Sequence, residues 1–144
     1  MIKIVCIGKL KEDYLKEGIN DYLKRINKYH KITIIELPDS NMDKEETEIL
    51  RQIGNNEYVI GLCIEGTELS SVELANKIDK TFINNPCITF IIGGSDGLTD
   101  KVKDRCDYRL SFSKLTYPHG LFRMILLEQI YRSFKILNNE TYHK

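Results

Sequence analysis

Short, β-branched apolar runs recur along the chain, at Ile2 to Ile7, Ile32 to Leu37, Tyr58 to Ile64, Cys87 to Ile92 and, more weakly, Tyr108 to Phe112. Polar or glycine-containing connections and then helical patterns follow them, the rhythm of an α/β protein with about five strands flanked by helices. Between the first two runs, Tyr14, Leu15, Gly18, Ile19, Tyr22, Leu23 and Ile26 recur at steps of one, three and four. That spacing predicts an amphipathic helix with one buried stripe and with Lys16, Lys24 and Arg25 on its polar face. Asp43 to Gln52 predicts a short acidic helix capped by Asp43. Ser70-Ser71-Val72-Glu73 fits a capping box, in which a serine oxygen and the glutamate each satisfy a free amide, so a helix is expected from about Ser71 to Phe82, closed by Asn84-Asn85-Pro86.

The last predicted helix, Leu121 to Leu137, is apolar on more than one face. A single sheet covers only one of them, so the second cover comes from a symmetric dimer or from burial at the centre of the monomer. No internal repeat, low-complexity tract or linker interrupts the pattern, and residues 1–144 read as one domain.

Composition adds limits. With 144 residues, 42% of them hydrophobic, the chain can build an ordinary core without disulfides or metal. Its 21 basic and 21 acidic residues cancel, so bulk charge does not predict a polyanion partner. Charge is uneven, however: residues 1–35 carry 8 basic and 4 acidic side chains and residues 114–144 carry 5 and 2, while the middle is acidic. If both ends share a face they form a local phosphate site, with Lys114, Arg123, Arg132 and Lys144 as contacts beside the first helix; otherwise they are scattered solvated charges. Cys6, Cys63, Cys87 and Cys106 lie far apart with no C-x-x-C pair, which argues against zinc, and the apolar setting of the first three suits a reducing compartment. No signal sequence or membrane span is legible, and a cytoplasmic protein is expected.

Three segments carry candidate chemistry. The run Phe90 to Ile92 leads straight into Gly93-Gly94-Ser95-Asp96-Gly97-Leu98. Ligands in open α/β sheets sit beyond the carboxyl ends of strands, where glycine admits close approach. The turn is neither a Walker loop nor a dinucleotide fingerprint, and two glycines easing a corner would look the same. The second segment, Ser111 to Gly120, is rich in hydroxyls and leads into the last helix, with His119 placed either to move a proton or contact an anion, or simply to cap and pack. The third is Tyr142-His143-Lys144, able to close over a nucleotide by stacking and phosphate contact, or to fray as tails do. Glu128 and Arg132 stand four apart, as in a helical ion pair.

Six motifs in order carry a resemblance: Ile7-Gly8-Lys9-Leu10-Lys11, Glu36-Leu37-Pro38-Asp39, Ile91 to Leu98, Leu110 to His119, Glu128 to Arg132, and Tyr142-His143-Lys144. Together they resemble the small SPOUT-class methyltransferases that modify a pseudouridine of large-subunit (23S) ribosomal RNA, the ribosomal RNA large subunit methyltransferase H family. The resemblance implies a parallel-sheet α/β fold with a C-terminal trefoil knot, S-adenosylmethionine in the knot, a homodimer with a composite site, and methylation of N3 of the pseudouridine. It assigns the cofactor to Leu62, Gly93, Phe112, Ser113, Lys114, Leu115, Thr116 and Tyr117, with Gly94 and Gly97 shaping the turn. His119, Arg132, Tyr142 and His143 are the candidates for the RNA pocket and the proton, and no metal is implied. The acidic segment after Pro38 looks shorter than in many relatives and is expected to lie away from the cofactor. Two rivals stand beside this assignment: a non-catalytic RNA- or ribosome-binding module of the same fold, and a flavodoxin-like nucleotide carrier.

Overall fold

A computed structural model describes residues 1–144 as five strands alternating with five helices. In order these are β1 (Ile2–Ile7), α1 (Asp13–Asn27), β2 (Ile32–Leu37), α2 (Met42–Arg51), β3 (Glu57–Glu68), α3 (Ser71–Asn84), β4 (Cys87–Ile92), α4 (Asp100–Arg105), β5 (Tyr108–Ser111) and α5 (His119–Leu137). The capping box of α3 is formed, with the Glu73 amide donating to Ser70 Oγ at 3.1 Å and the Ser70 amide to Glu73 Oε1 at 2.8 Å. At α2 the cap is Asn41, not Asp43: Asn41 Oδ1 accepts from the Lys44 amide, and Asp43 sits in the first turn, where a carboxylate suits the helix dipole. The unpredicted α4 is only six residues long and buries Val102 alone, too little for a periodic signal.

All strands are parallel, in the order β2-β1-β4-β3-β5. Helices α1, α3 and α5 pack together on one face and α2 with α4 on the other. The connections β1 to β2 and β3 to β4 step one way along the sheet over the first face. Those from β2 to β3 and β4 to β5 step the other way over the second, as a single crossover handedness requires. Burial on both faces explains why the central strands read as continuous apolar runs. Ile2, Ile4, Cys6, Phe90 and Leu62 join the core under α5, whereas Val5, Ile7, Val59 and Ile91 join the core under α2 and α4.

Helix α5 buries Arg123, Leu126, Leu127, Ile130, Tyr131, Ser133 and Phe134 between α1, α3 and the sheet. The width of its apolar surface is therefore accounted for inside one subunit, and it ceases to argue for a dimer. Ile64, Leu115 and Leu121 remain exposed around its start. The two basic ends do meet, with the Arg25 guanidinium 5.6 Å from the Tyr131 ring centre.

Cys6 lies buried in β1, and burial pushes its thiol up to about 11, as it does that of Cys106. An unfolded cysteine ionises at about 8.5. Groups whose folded value is raised contribute stability that is whole below the unfolded value and is lost as pH rises through the folded one. The melting temperature should therefore fall as pH climbs from about 8.5 toward about 11. Cys6→Ala should make that fall shallower, and an unchanged slope in a pH series of thermal melts would contradict the assignment.

Candidate functional site

The carboxyl ends of β3, β4 and β5 surround one cavity of about 540 Å³. Its first wall comes from an irregularity in β3. The strand pairs with β5 up to Leu62, leaves register, and pairs again from Thr67, so Cys63, Ile64 and Glu65 are displaced to line the cavity. Ser111 Oγ fixes the displaced backbone by donating to the Ile64 carbonyl at 2.9 Å. The sequence reading ended this strand at Ile64 and missed the displacement, for which Gly66 was the sole local signal.

The second wall is the glycine turn after β4, where the Gly97 amide donates to the Gly94 carbonyl at 3.0 Å. Gly97 has φ +76°, a conformation that favours glycine, and a Cβ there would meet nothing within 4 Å. Gly93 is different: its Cβ would stand 2.8 Å from the Gly97 carbonyl carbon and 3.0 Å from Leu98 Cδ2. Helix α2 supports this turn from behind. Glu45 Oε1 occupies a point 2.9 Å from where a Gly94 Cβ would be, and Glu46 accepts a 2.6 Å hydrogen bond from Thr99 Oγ1. The expectation that the acidic segment after Pro38 stands away from the cofactor residues is thus corrected.

The third wall is the loop from Phe112 to Tyr117 with the start of α5. Ser113 Oγ accepts from the Leu115 amide and shares a 3.0 Å hydrogen bond with the Tyr117 hydroxyl, so the loop is held by its own side chains. Phe122 stacks on Tyr117 at 5.4 Å and meets Phe112 edge-on at 5.2 Å. Arg123 anchors the helix start. Buried to 2% exposure, it donates to the Ile7 and Gly8 carbonyls at the end of β1 and pairs with Glu36 at 2.7 Å. It is therefore closed to phosphate, contrary to the surface role expected from sequence.

Of the residues assigned to a cofactor, Leu62, Gly93, Gly94, Gly97, Phe112, Ser113, Leu115, Thr116 and Tyr117 line this cavity; Lys114 is exposed and does not. His119 lines it too. Arg132, Tyr142 and His143 lie elsewhere: Arg132 is 13 residues further along α5, about 20 Å at the helical rise. There Arg132 pairs with Glu128 at 3.0 Å, which raises its pKa, and donates to His143 Nδ1 at 3.1 Å. The Tyr142 ring lies edge-on to Tyr131 at 4.9 Å. Burial, and then the Glu128 carboxylate, push the Tyr142 phenol above its usual value, so at neutral pH it is a proton-bearing group rather than a base.

Half of the lining residues are hydrophobic, and the rest are glycines and polar or charged side chains from β3, the glycine turn, α4 and the loop leading into α5, a form suited to a nucleoside-sized ligand. No cluster of three or more potential metal ligands is present, and no helix is long and apolar enough to cross a membrane.

Residues 1–143 match the family described as "Predicted SPOUT methyltransferase". Among individual proteins, the chain is 48% identical to the ribosomal RNA large subunit methyltransferase H of Enterococcus faecalis and 50% identical to that of Clostridioides difficile, covering 99% of each chain in both cases. These alignments run over 157 positions, so the relatives carry residues that this chain lacks. Among solved structures, a probable methylase family protein of Haemophilus influenzae superposes with a TM-score of 0.54 at 16% identity, over 96% of this chain and 66% of that one. The A. aeolicus TrmH/SpoU tRNA modifying enzyme gives 0.50 at 9% identity, over 95% and 77%. At such identities the likeness speaks to the fold alone.

Proposed function

The chain belongs to the SPOUT methyltransferase family, and from that premise we propose that it methylates N3 of a pseudouridine in large-subunit ribosomal RNA, as a homodimer using S-adenosylmethionine. One observation carries the proposal: three strand ends far apart in sequence converge on one cavity, in a chain aligned end to end with ribosomal RNA large subunit methyltransferases. The residues present fit the cofactor, since the lining is apolar enough to enclose an adenine and the Gly97 turn leaves open space where a side chain would stand.

When bound, S-adenosylmethionine supplies an electrophilic methyl carried on a sulfonium. The chain's own residues do the rest by position. Leu62, Leu110, Phe112 and Leu115 exclude water, the Gly93 turn admits the backbone to close approach, and the Tyr117–Phe122 stack holds the loop. The proton on N3 of the acceptor has to leave, and His119 is the titratable side chain of the cavity placed at the helix start to receive it at an imidazole nitrogen.

The distance between the cavity and the Arg132–Tyr142–His143 cluster supports the composite arrangement, in which one subunit's tail completes the other's cavity. The knot belongs to the same proposal. Support for it comes from Arg123, which ties the start of α5 to the end of β1 although the preceding strand, β5, is at the far edge of the sheet. The connecting loop therefore passes the ends of β3 and β4.

Calorimetric titration with S-adenosylmethionine, with the mass measured by light scattering in the same buffer, tests the proposal. Saturable binding by a dimer is expected. A well-folded dimer without binding would turn the assignment toward a non-catalytic RNA-binding module, and a well-folded monomer would remove the composite site. Tyr142→Phe and His143→Ala should each reduce methylation of ribosomes while leaving S-adenosylmethionine affinity unchanged. Full rates and full RNA affinity in both variants would remove the tail from the site.

A further inference from the structure

We propose, on the footing of that function, that the Asp96 carboxylate makes the cavity discriminate between the methyl donor and its demethylated product by charge. Three side chains of the lining carry formal charge: Glu65, Asp96 and Lys103. Two of them cancel. Lys103 Nζ, reaching up from α4, pairs with Glu65 Oε1 at 2.7 Å, and each group favours the charged form of the other, lowering the pKa of the glutamate and raising that of the lysine. Asp96 has no ion pair and no side-chain hydrogen bond, and it stands exposed at the tip of the glycine turn. The lining therefore carries one uncompensated negative charge, and it is held on the turn that closes one wall.

S-adenosylmethionine at neutral pH carries a sulfonium, an ammonium and a carboxylate, for one net positive charge, whereas S-adenosylhomocysteine lacks the sulfonium and is neutral overall. The two have nearly the same shape, so apolar enclosure cannot separate them strongly. A fixed negative charge acts on the difference. At several ångströms, with solvent on one side, one unit charge is worth a preference on the order of fivefold, and salt reduces it. The consequence is a site that holds the donor more tightly than its product, so that fresh donor displaces spent product more readily than it would by shape alone.

The test is calorimetric titration of S-adenosylmethionine and, separately, S-adenosylhomocysteine into the wild-type protein, Asp96→Asn and Asp96→Glu, at low and at high salt. Asp96→Asn is expected to weaken the donor about fivefold and to leave the product nearly unchanged. Asp96→Glu should keep the preference, and high salt should shrink it in the wild type but not in Asp96→Asn. Equal weakening of both ligands in Asp96→Asn would assign Asp96 to the shape of the turn, and no change in either would remove it from recognition; both outcomes overturn the proposal. If the wild-type protein binds neither ligand, the methyltransferase assignment itself fails, a result distinct from loss of discrimination in a protein that binds both.

Discussion

Gly93→Ala is expected to lower the affinity for S-adenosylmethionine by about ten- to hundredfold. The added Cβ would stand 2.8 Å from backbone of Gly97, which cannot rotate aside as a side-chain tip can. The turn has to move, and with it the wall it forms. Gly97→Ala is the informative comparison. There the new Cβ meets nothing, and the cost is that of holding alanine at φ +76°, about 1–2 kcal/mol of stability, if the turn keeps its form. Calorimetry for affinity and thermal melts for stability should therefore separate the two variants: Gly93→Ala falls mainly in binding, Gly97→Ala mainly in stability. Equal affinity of Gly93→Ala and wild type would place the cofactor elsewhere.

The second large effect is on folding. Arg123→Met should cost about 2–4 kcal/mol, lowering the melting temperature by on the order of 10 °C. The variant leaves the Ile7 and Gly8 carbonyls without their donor and removes the partner of Glu36, whose side chain is 37% exposed and so recovers part of its loss from water. The Nε of Arg123 is buried without a partner, which limits the net gain the arginine provides. Arg132→Met removes a charge from the same helix but from a one-turn pair near the surface, and it should cost less than about 1 kcal/mol. Thermal melts of the two variants that shift equally would contradict the anchoring role of Arg123. Since Arg123 follows the Phe112–Tyr117 loop by a few residues, its loss should also loosen the third wall of the cavity.

Much of this architecture was legible because local and global preferences agree. The strands β1, β2 and β4 matched their apolar runs to the residue, and the Ser70–Glu73 box marked the start of α3. Where the pattern failed, a tertiary cause is visible. The extension of β3 beyond Ile64 passes through Glu65, Gly66 and Thr67, whose polarity reads as a loop, and is sustained by pairing with Leu110 and Ser111 at the edge of the sheet. The width of the apolar surface on α5 suggested a partner subunit, yet α1 and α3 supply the cover, something no periodicity states. At the site, Gly93, Gly97 and the Phe112–Tyr117 loop were accessible from motif order, whereas the Glu65–Lys103 pair joins β3 to α4 across 38 positions of sequence and carries no local signature. Arg123 shows the opposite failure. Its charge in a basic segment suggested a surface, and its burial follows from three carbonyl and carboxylate acceptors that only the fold brings together.

The most direct measurement is nucleoside mass spectrometry of large-subunit RNA after ribosomes that lack the modification are incubated with the protein and isotopically labelled S-adenosylmethionine. The prediction is that label appears on a pseudouridine, with fragmentation placing the methyl on N3, and that Gly93→Ala slows its appearance when the donor is limiting. Absence of label with a protein that binds the cofactor, or label on a different nucleoside, would contradict it.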